Sequence, residues 1–323
     1  MKAIVLAGGY ATRLWPITRH RPKMFLPMGE RTVIDRIFEQ LEADDRFDEV
    51  FVSTNDRFAE EFDSYLDDRP FEKPTLSVED TTEESEKFGV VGALAQLVDR
   101  EGINEDTVVI AGDNLISFEI SDFVDFFRAR NAPTIAAYDV GSRERASSYG
   151  LVELDGDVVV DFQEKPDEPK STLVSIACYA FTAETVGLLD EYLAEDNNPD
   201  EPGWFVQWLQ NREPTYAYTF EGAWYDIGTA DSYLDAVAWH LDGDAVVAED
   251  AAVDNADIGE NVHVMAGAEI RNASLDRTVI FEEASVRSAD LRGSILDEHA
   301  RVEDADLSGS LLGQHSQVIG DER

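Results

Sequence analysis

Short apolar runs and helically spaced apolar residues alternate through the first part of the chain. Ala3–Ala7, Val50–Thr54, Thr107–Ala111 and Thr134–Val140 are continuous and rich in β-branched residues, the pattern of strands buried on both faces. Between them, Val33–Leu41, Phe58–Leu66, Val90–Val98 and Phe123–Arg130 place apolar residues at helical spacing. Strands alternating with helices predict an α/β fold, with a largely parallel, Rossmann-like sheet covered on both faces. Gly150–Leu154 and Val158–Gln163 follow as a hairpin turning at Asp155-Gly156-Asp157. Ala230–Leu241 reads as a last helix. Leu241-Asp242-Gly243-Asp244 then marks a boundary, giving an α/β domain over 1–243 and a second domain over 244–323.

The second domain is a repeat. Asn261–Asp276, Arg277–Arg292, Gly293–Ser308 and Gly309–Arg323 align at a period of 16 residues. One column reads Val264, Ile280, Leu296, Leu312; a second Ala268, Ala284, Ala300, Ser316; a third Ile270, Val286, Val302, Val318; a fourth Leu275, Leu291, Leu307. Fixed columns of aliphatic and small residues mean that each repeat stacks its side chains on the next, the signature of a β-solenoid. Ile258-Gly259-Glu260-Asn261-Val262 resembles the hexapeptide units of left-handed parallel β-helices. The aliphatic columns point inward and expose no evident catalytic group, so a role in assembly or stabilisation, and a homo-oligomer, are expected.

Charge changes this picture in two ways. There are 68 acids against 26 bases, a net charge of −42. The acids lie among periodic apolar residues, so they do not mark a disordered tail. Such self-repulsion is tolerated where salt screens it over a few ångströms, so a halophilic protein is expected. Nucleic acid and anionic membrane are disfavoured as partners. No run reaches the roughly 18 apolar residues of a membrane helix. The N-terminal run is too short for a signal peptide, and Cys178 is the only cysteine; a cytoplasmic location is expected. The second feature is local. Met1–Gly29 holds five lysines and arginines and no acid, as a segment built to receive an anion would.

That segment carries candidate chemistry. The first strand runs into Leu6-Ala7-Gly8-Gly9-Tyr10-Ala11-Thr12-Arg13-Leu14. Glycines after a first strand let the backbone approach phosphates, and its N–H groups cradle them. The spacing is neither G-x-G-x-x-G nor a Walker A loop. Arg13 and Lys23 follow, with Pro16 and Pro22 stiffening the loop between them. A guanidinium holds two phosphate oxygens at once, and lysine supplies a compact charge.

Gly8–Leu14 with Pro16, Thr18, Pro22 and Lys23 resembles the signature loop of the sugar-phosphate nucleotidyltransferases, which include glucose-1-phosphate thymidylyl- and uridylyltransferases and mannose-1-phosphate guanylyltransferases. The family usually has glycine where this chain has Ala11. Further segments arrive in the family's order. Phe88-Gly89-Val90-Val91-Gly92-Ala93-Leu94 resembles the segment near the base, and Ala111-Gly112-Asp113-Asn114 ends a strand, where α/β sheets place their ligands. Tyr149-Gly150, Glu164-Lys165-Pro166 and Trp224-Tyr225-Asp226-Ile227-Gly228-Thr229 complete the set, so the resemblance spans roughly 1–240.

The resemblance implies a nucleotidyl transfer, from dTTP or UTP to glucose 1-phosphate by preference, with release of pyrophosphate. It makes Arg13 and Lys23 catalytic. Leu6, Ala7, Gly8, Gly9, Thr12, Arg13, Lys23, Glu84 and Gly89 would bind the nucleotide, with Glu84 at the base. Tyr149, Gly150, Glu164 and Lys165 would bind the sugar phosphate, and Asp113 and Asp226 would hold Mg²⁺. Taken singly, each residue has a plainer reading: Arg13 and Lys23 as surface charge, Asp113 and Asp226 as turn residues, Glu164 and Lys165 as an exposed pair. Cys178, Trp204, Phe205 and Trp208 are expected to pack the core. His299 and His315 share a solenoid column and are expected to form a solvent-facing ladder. Alternatives that the resemblance leaves open are a guanylyltransferase acting on mannose 1-phosphate, another nucleotide-sugar pyrophosphorylase, a catalytically silent regulatory homologue, and an acyltransferase built on the solenoid.

Overall fold

The computed structural model describes residues 1–79 and 88–320. The chain forms two compact units. The first contains Met1–Gly9 and Asp35–Trp224; the second contains Tyr10–Ile34 and the chain from Tyr225 onward.

Among the described residues, the first unit holds a sheet of nine strands. In chain order these are β1 (Lys2–Leu6), β2 (Glu49–Asn55), β3 (Pro74–Glu79), β4 (Thr107–Ala111), β5 (Thr134–Asp139), β6 (Gly150–Asp155), β7 (Val158–Glu164), β8 (Leu173–Phe181) and β9 (Tyr216–Thr219). They lie in the order β3-β2-β1-β4-β8-β5-β9-β7-β6. The first four are parallel, with Ile4 opposite Phe51 on one side and Val109 on the other. The other half is mixed: β8 runs antiparallel to β4 and β5, and the β6–β7 hairpin is antiparallel. The sheet is therefore parallel in its N-terminal half, where helical crossovers join the strands, and mainly antiparallel where hairpin turns replace them.

Ala3, Ile4 and Val5 are each fully buried. Successive side chains of a strand point to opposite faces, so both faces of β1 are covered. Helices α1 (Asp35–Ala43), α2 (Ala59–Asp67), α3 (Val90–Glu101) and α4 (Ile120–Arg130) fall close to the spans that the periodicity predicts. Val91, Leu94 and Leu97 of α3 join Ile4, Phe51 and Val109 in one core cluster, together with Phe205, Val206 and Leu209 of α5 (Pro202–Leu209). Cys178 is buried in β8.

In the second unit, α6 (Ala230–Leu241) precedes a three-sided parallel β-helix. Val264, Ile280, Leu296 and Leu312 pair in register along one side. Ile270, Val286, Val302 and Val318 do so along another, and Leu275, Leu291 and Leu307 along the third. The columns read from the sequence are thus the stacked interior; each fully buried aliphatic side chain contributes about 1.5–3 kcal/mol. Corners fall at left-handed residues, one column being Gly267, Glu283, His299 and His315, with φ between 56° and 67°. His299 and His315 are exposed there and stack with ring centroids 4.9 Å apart. They form a ladder on the outside of a turn.

Candidate active site

In the first unit, β1 delivers Leu6 and Ala7 to the C-terminal edge of the parallel strands. The Ala7 N–H donates to Ser53 O at 2.7 Å, and the Gly112 N–H donates to Leu6 O at 2.9 Å. Asp113, half-buried, follows Gly112 directly. The backbone of the glycine turn and the Asp113 carboxylate are thereby held on neighbouring strand ends, the usual ligand edge of an open α/β sheet. Asn55 Nδ2 donates to Gly8 O at 3.0 Å. Ser53 Oγ donates to Glu79 Oε1 at 3.1 Å, and a Cβ on Gly8 would meet that oxygen at 3.5 Å. Ser53, Asn55 and Glu79 are buried polar groups beneath the turn, and sequence reading did not single them out. Their polarity within an apolar strand pattern was the available signal.

Gly89 caps α3 with φ 77°, and a Cβ there would collide with the backbone of Pro199. The N–H groups of Val90 and Val91 donate to Asp200 O and Pro199 O at 3.1 and 2.8 Å. Only glycine fits this close approach. Glu84 lies outside the described residues.

The sugar-phosphate candidates gather around β6 and β7. Gly150 pairs with Glu164 across the hairpin and with Ser175 of β8. Tyr149 sets its ring edge-on to Trp224, with centroids 4.9 Å apart, and accepts the Lys165 N–H at 3.2 Å. The Glu164 carboxylate fills the space in front of Gly203, and the Phe162 ring together with that carboxylate fills the space in front of Gly150, where any side chain would clash. The Glu164 backbone N–H donates to Gln207 Oε1 at 3.1 Å. Burial pushes the Glu164 carboxyl up to about 7; Lys165 opposes the shift and Glu201 adds to it. The carboxyl thus sits where it either donates or only accepts near neutral pH. Lys165 is exposed and forms an ion pair with Glu201. Glu201, Gly203 and Gln207 were missed in the sequence because their role depends on the start of α5 approaching the β7 end.

In the second unit, Ala11 adopts a left-handed conformation, φ 48° and ψ 42°. The position where the resemblance expects glycine therefore keeps the glycine-type dihedral, at a strain cost of about 1–2 kcal/mol. The Leu14 N–H and the Thr18 hydroxyl hold it, both donating to Ala11 O, at 3.0 and 2.9 Å. The Thr12–Leu14 turn then carries Arg13 outward, exposed, and the Lys23–Phe25 turn carries Lys23 half-buried. Asp226 and Arg13 both border Gly228: a Cβ there would lie 3.2 Å from Arg13 Nη2 and 3.7 Å from Asp226 Oδ1. Local capping fixes this segment. The Thr229 side chain accepts the Ser232 N–H at the start of α6, and the Gly228 N–H donates to Ser232 Oγ at 3.1 Å. Here a cation suited to phosphate oxygens and a carboxylate suited to a hard cation are neighbours.

Known proteins resemble this chain in sequence and in fold. A UTP–glucose-1-phosphate uridylyltransferase of Synechocystis sp. is 30% identical over 248 residues, which are 73% of this chain and 62% of that protein. A glucose-1-phosphate adenylyltransferase of Mycoplasma mobile is 29% identical over 252 residues, 73% of this chain and 66% of its own. The chain thus spans less than two-thirds of the length of these curated relatives. The crystal structure of a UDP-glucose pyrophosphorylase complexed with UDP-glucose shares the fold, with a TM-score of 0.62 at 23% identity, over 73% of this chain and 96% of the other. Residues 2–242 match the family described as nucleotidyl transferase, and they contain the glycine turn, Asp113, the β6–β7 cluster and Asp226; the chain belongs to that family.

Proposed function

We propose that the protein transfers a nucleotidyl group from a nucleoside triphosphate to a sugar 1-phosphate, with dTTP or UTP and glucose 1-phosphate preferred. The observation that carries this reading is the glycine turn of β1 hydrogen-bonded beside the strand end that bears Asp113. A phosphate oxygen of the sugar 1-phosphate attacks the α-phosphorus, a new P–O bond forms, and the bond to the β-phosphate breaks in line to release pyrophosphate. The nucleophile is already an anion, so no general base is required, and positioning with charge neutralisation dominates.

Leu6, Ala7, Gly8, Gly9 and Thr12 present backbone to the triphosphate. Arg13 holds the leaving pyrophosphate and Lys23 its oxygens as charge shifts onto them. Gly89 and Glu84 border the base. Tyr149, Gly150 and Glu164 receive the sugar. Lys165 takes the sugar phosphate, which must displace Glu201 from it. Among the described residues, no group of three or more His, Cys, Asp or Glu side chains is arranged as an all-protein metal cage. One or two carboxylates completed by substrate phosphates and water are the ligand set that magnesium accepts. Asp113 and Asp226 are the carboxylates proposed to hold it, and when bound it supplies neutralising charge to the phosphates.

The acidic surface supports work in concentrated salt, and none of the described helices is long and apolar enough to cross a membrane. We take the protein to act in the cytoplasm as a homo-oligomer, with the α/β domain ending near residue 243. Pyrophosphate release with Mg²⁺ and paired substrates tests the activity, and light scattering tests the assembly.

A further inference from the structure

We infer that the solenoid is the support on which the loop bearing Arg13 and Lys23 is held, with Arg21 as the positioning residue; this rests on the phosphate role proposed for that loop. One solenoid column reads Met265, Phe281, Asp297, Gly313. Met265 and Phe281 directly follow the interior residues Val264 and Ile280; both are buried and apolar, yet neither belongs to the interior cluster of the coils. Asp297 is equally buried yet carries a carboxylate, and Gly313 has no side chain at all. Stacking of coils explains neither departure.

Both departures lie where Tyr10–Ile34 meets the coils. Arg21 Nη2 donates to Asp297 Oδ1 at 2.8 Å and to Glu298 Oε1 at 2.7 Å. Its guanidinium lies 4.8 Å from the Phe281 ring centroid. Pro16 occupies the space in front of Gly313, where a Cβ would come within 2.6 Å of the Pro16 Cβ. The receiving carboxylates are themselves fixed. Asp297 Oδ1 accepts the Glu298 N–H at 2.9 Å, and Glu298 Oε2 accepts from Gln314 Nε2 at 2.9 Å. A carboxylate as buried as Asp297 is costly without a cation, so its place in the column makes sense only with Arg21 seated.

The loop has little regular structure of its own. It consists of two three-residue helical turns and the two-residue strands Pro27–Met28 and Arg31–Thr32. Its shape therefore depends on what it rests against. Pro16 and Arg21 both fall between Arg13 and Lys23 in the chain, so anchoring them sets how far apart the two cations stand. From α6, the Tyr233 hydroxyl donates to Pro27 O at 2.6 Å and secures the far end of the loop.

Backbone hydrogen exchange and kinetics on the full chain test this with Arg21→Gln, Asp297→Asn, the double variant and Arg21→Lys. Exchange across residues 10–34 should rise about tenfold or more in either single variant, as loss of a buried ion pair predicts. Peptides of β1 and β4 should not change. The double variant should do no more than the larger single one, because both remove the same contact. The KM for the triphosphate should rise while that for the sugar 1-phosphate holds, and Arg21→Lys should recover most of the loss. Unchanged exchange over 10–34, or a rise spread evenly through the strands, overturns the support. Raised exchange with both KM values unmoved overturns the positioning role. A parental chain that releases no pyrophosphate from any substrate pair defeats the proposed activity instead, and the exchange result still decides the support.

Discussion

The Arg13 guanidinium faces the bare Cα of Gly228, so that a methyl group there would stand 3.2 Å from Nη2 and 3.7 Å from Cζ. That is tight enough for the arginine to give way. Gly228→Ala should therefore shift Arg13 with the fold intact and lower turnover about tenfold, since small misplacements of charge-bearing groups are costly in phosphoryl chemistry. Steady-state kinetics beside a thermal melt check it. Parental turnover in a normally folded variant would show that the arginine accommodates the methyl group and is not displaced from its working position.

Asp113 and Asp226 are half-buried at a strand end and before a helix cap. Asp113→Asn and Asp226→Asn should each lose turnover by roughly a hundredfold or more, because metal charge stabilisation amounts to several kcal/mol. Melting temperatures should stay near the parental value. Titrating Mg²⁺ into each variant reads the effect, and near-parental turnover at saturation rejects that carboxylate as a ligand.

Glu164 makes a prediction about pH. Its carboxyl is raised from 4.5 to about 7 by burial. The native state therefore keeps a proton that the unfolded chain has lost, and stability falls as pH rises through that window, levelling off above it. Glu164→Gln carries no such penalty. The melting temperature of the variant minus that of the parent should climb between about pH 5 and 7 and then hold, in substrate-free protein at constant salt. A difference flat in pH contradicts a buried carboxyl at this position.

The excess of acids, −42 in net charge, should make compaction depend on screening. Melts recorded from low to molar KCl should move steadily upward. A constant melting temperature across that range rejects the halophilic reading.

Much of this was legible in the residues because it repeats or punctuates. The columns through Val264, Ile270 and Leu275 announce a solenoid, since stacking puts the same demand on each coil. Gly8 and Gly9 after β1, and Asp113 after β4, mark the ligand edge by position in the α/β pattern. Contacts between distant segments left no such trace. Glu201 beside Lys165, and Gly203 making room for Glu164, arise only when α5 meets the β7 end. Asp297 did break an apolar column, but its partner Arg21 lies 276 residues away in the chain. Neither periodicity nor spacing links charges so far apart. The β6–β7 hairpin was legible from its turn, but the antiparallel β8 was hidden for a related reason: it sits between β4 and β5, and strand order is a long-range property.

The most direct test of nucleotidyl transfer is pyrophosphate release across a matrix of nucleoside triphosphates and sugar 1-phosphates, with Mg²⁺ in molar KCl. Release should require both substrates and yield the matching nucleotide-sugar, fastest with dTTP or UTP and glucose 1-phosphate. A strong preference for GTP with mannose 1-phosphate would contradict the substrate assignment, and no release from any pair would contradict the activity itself.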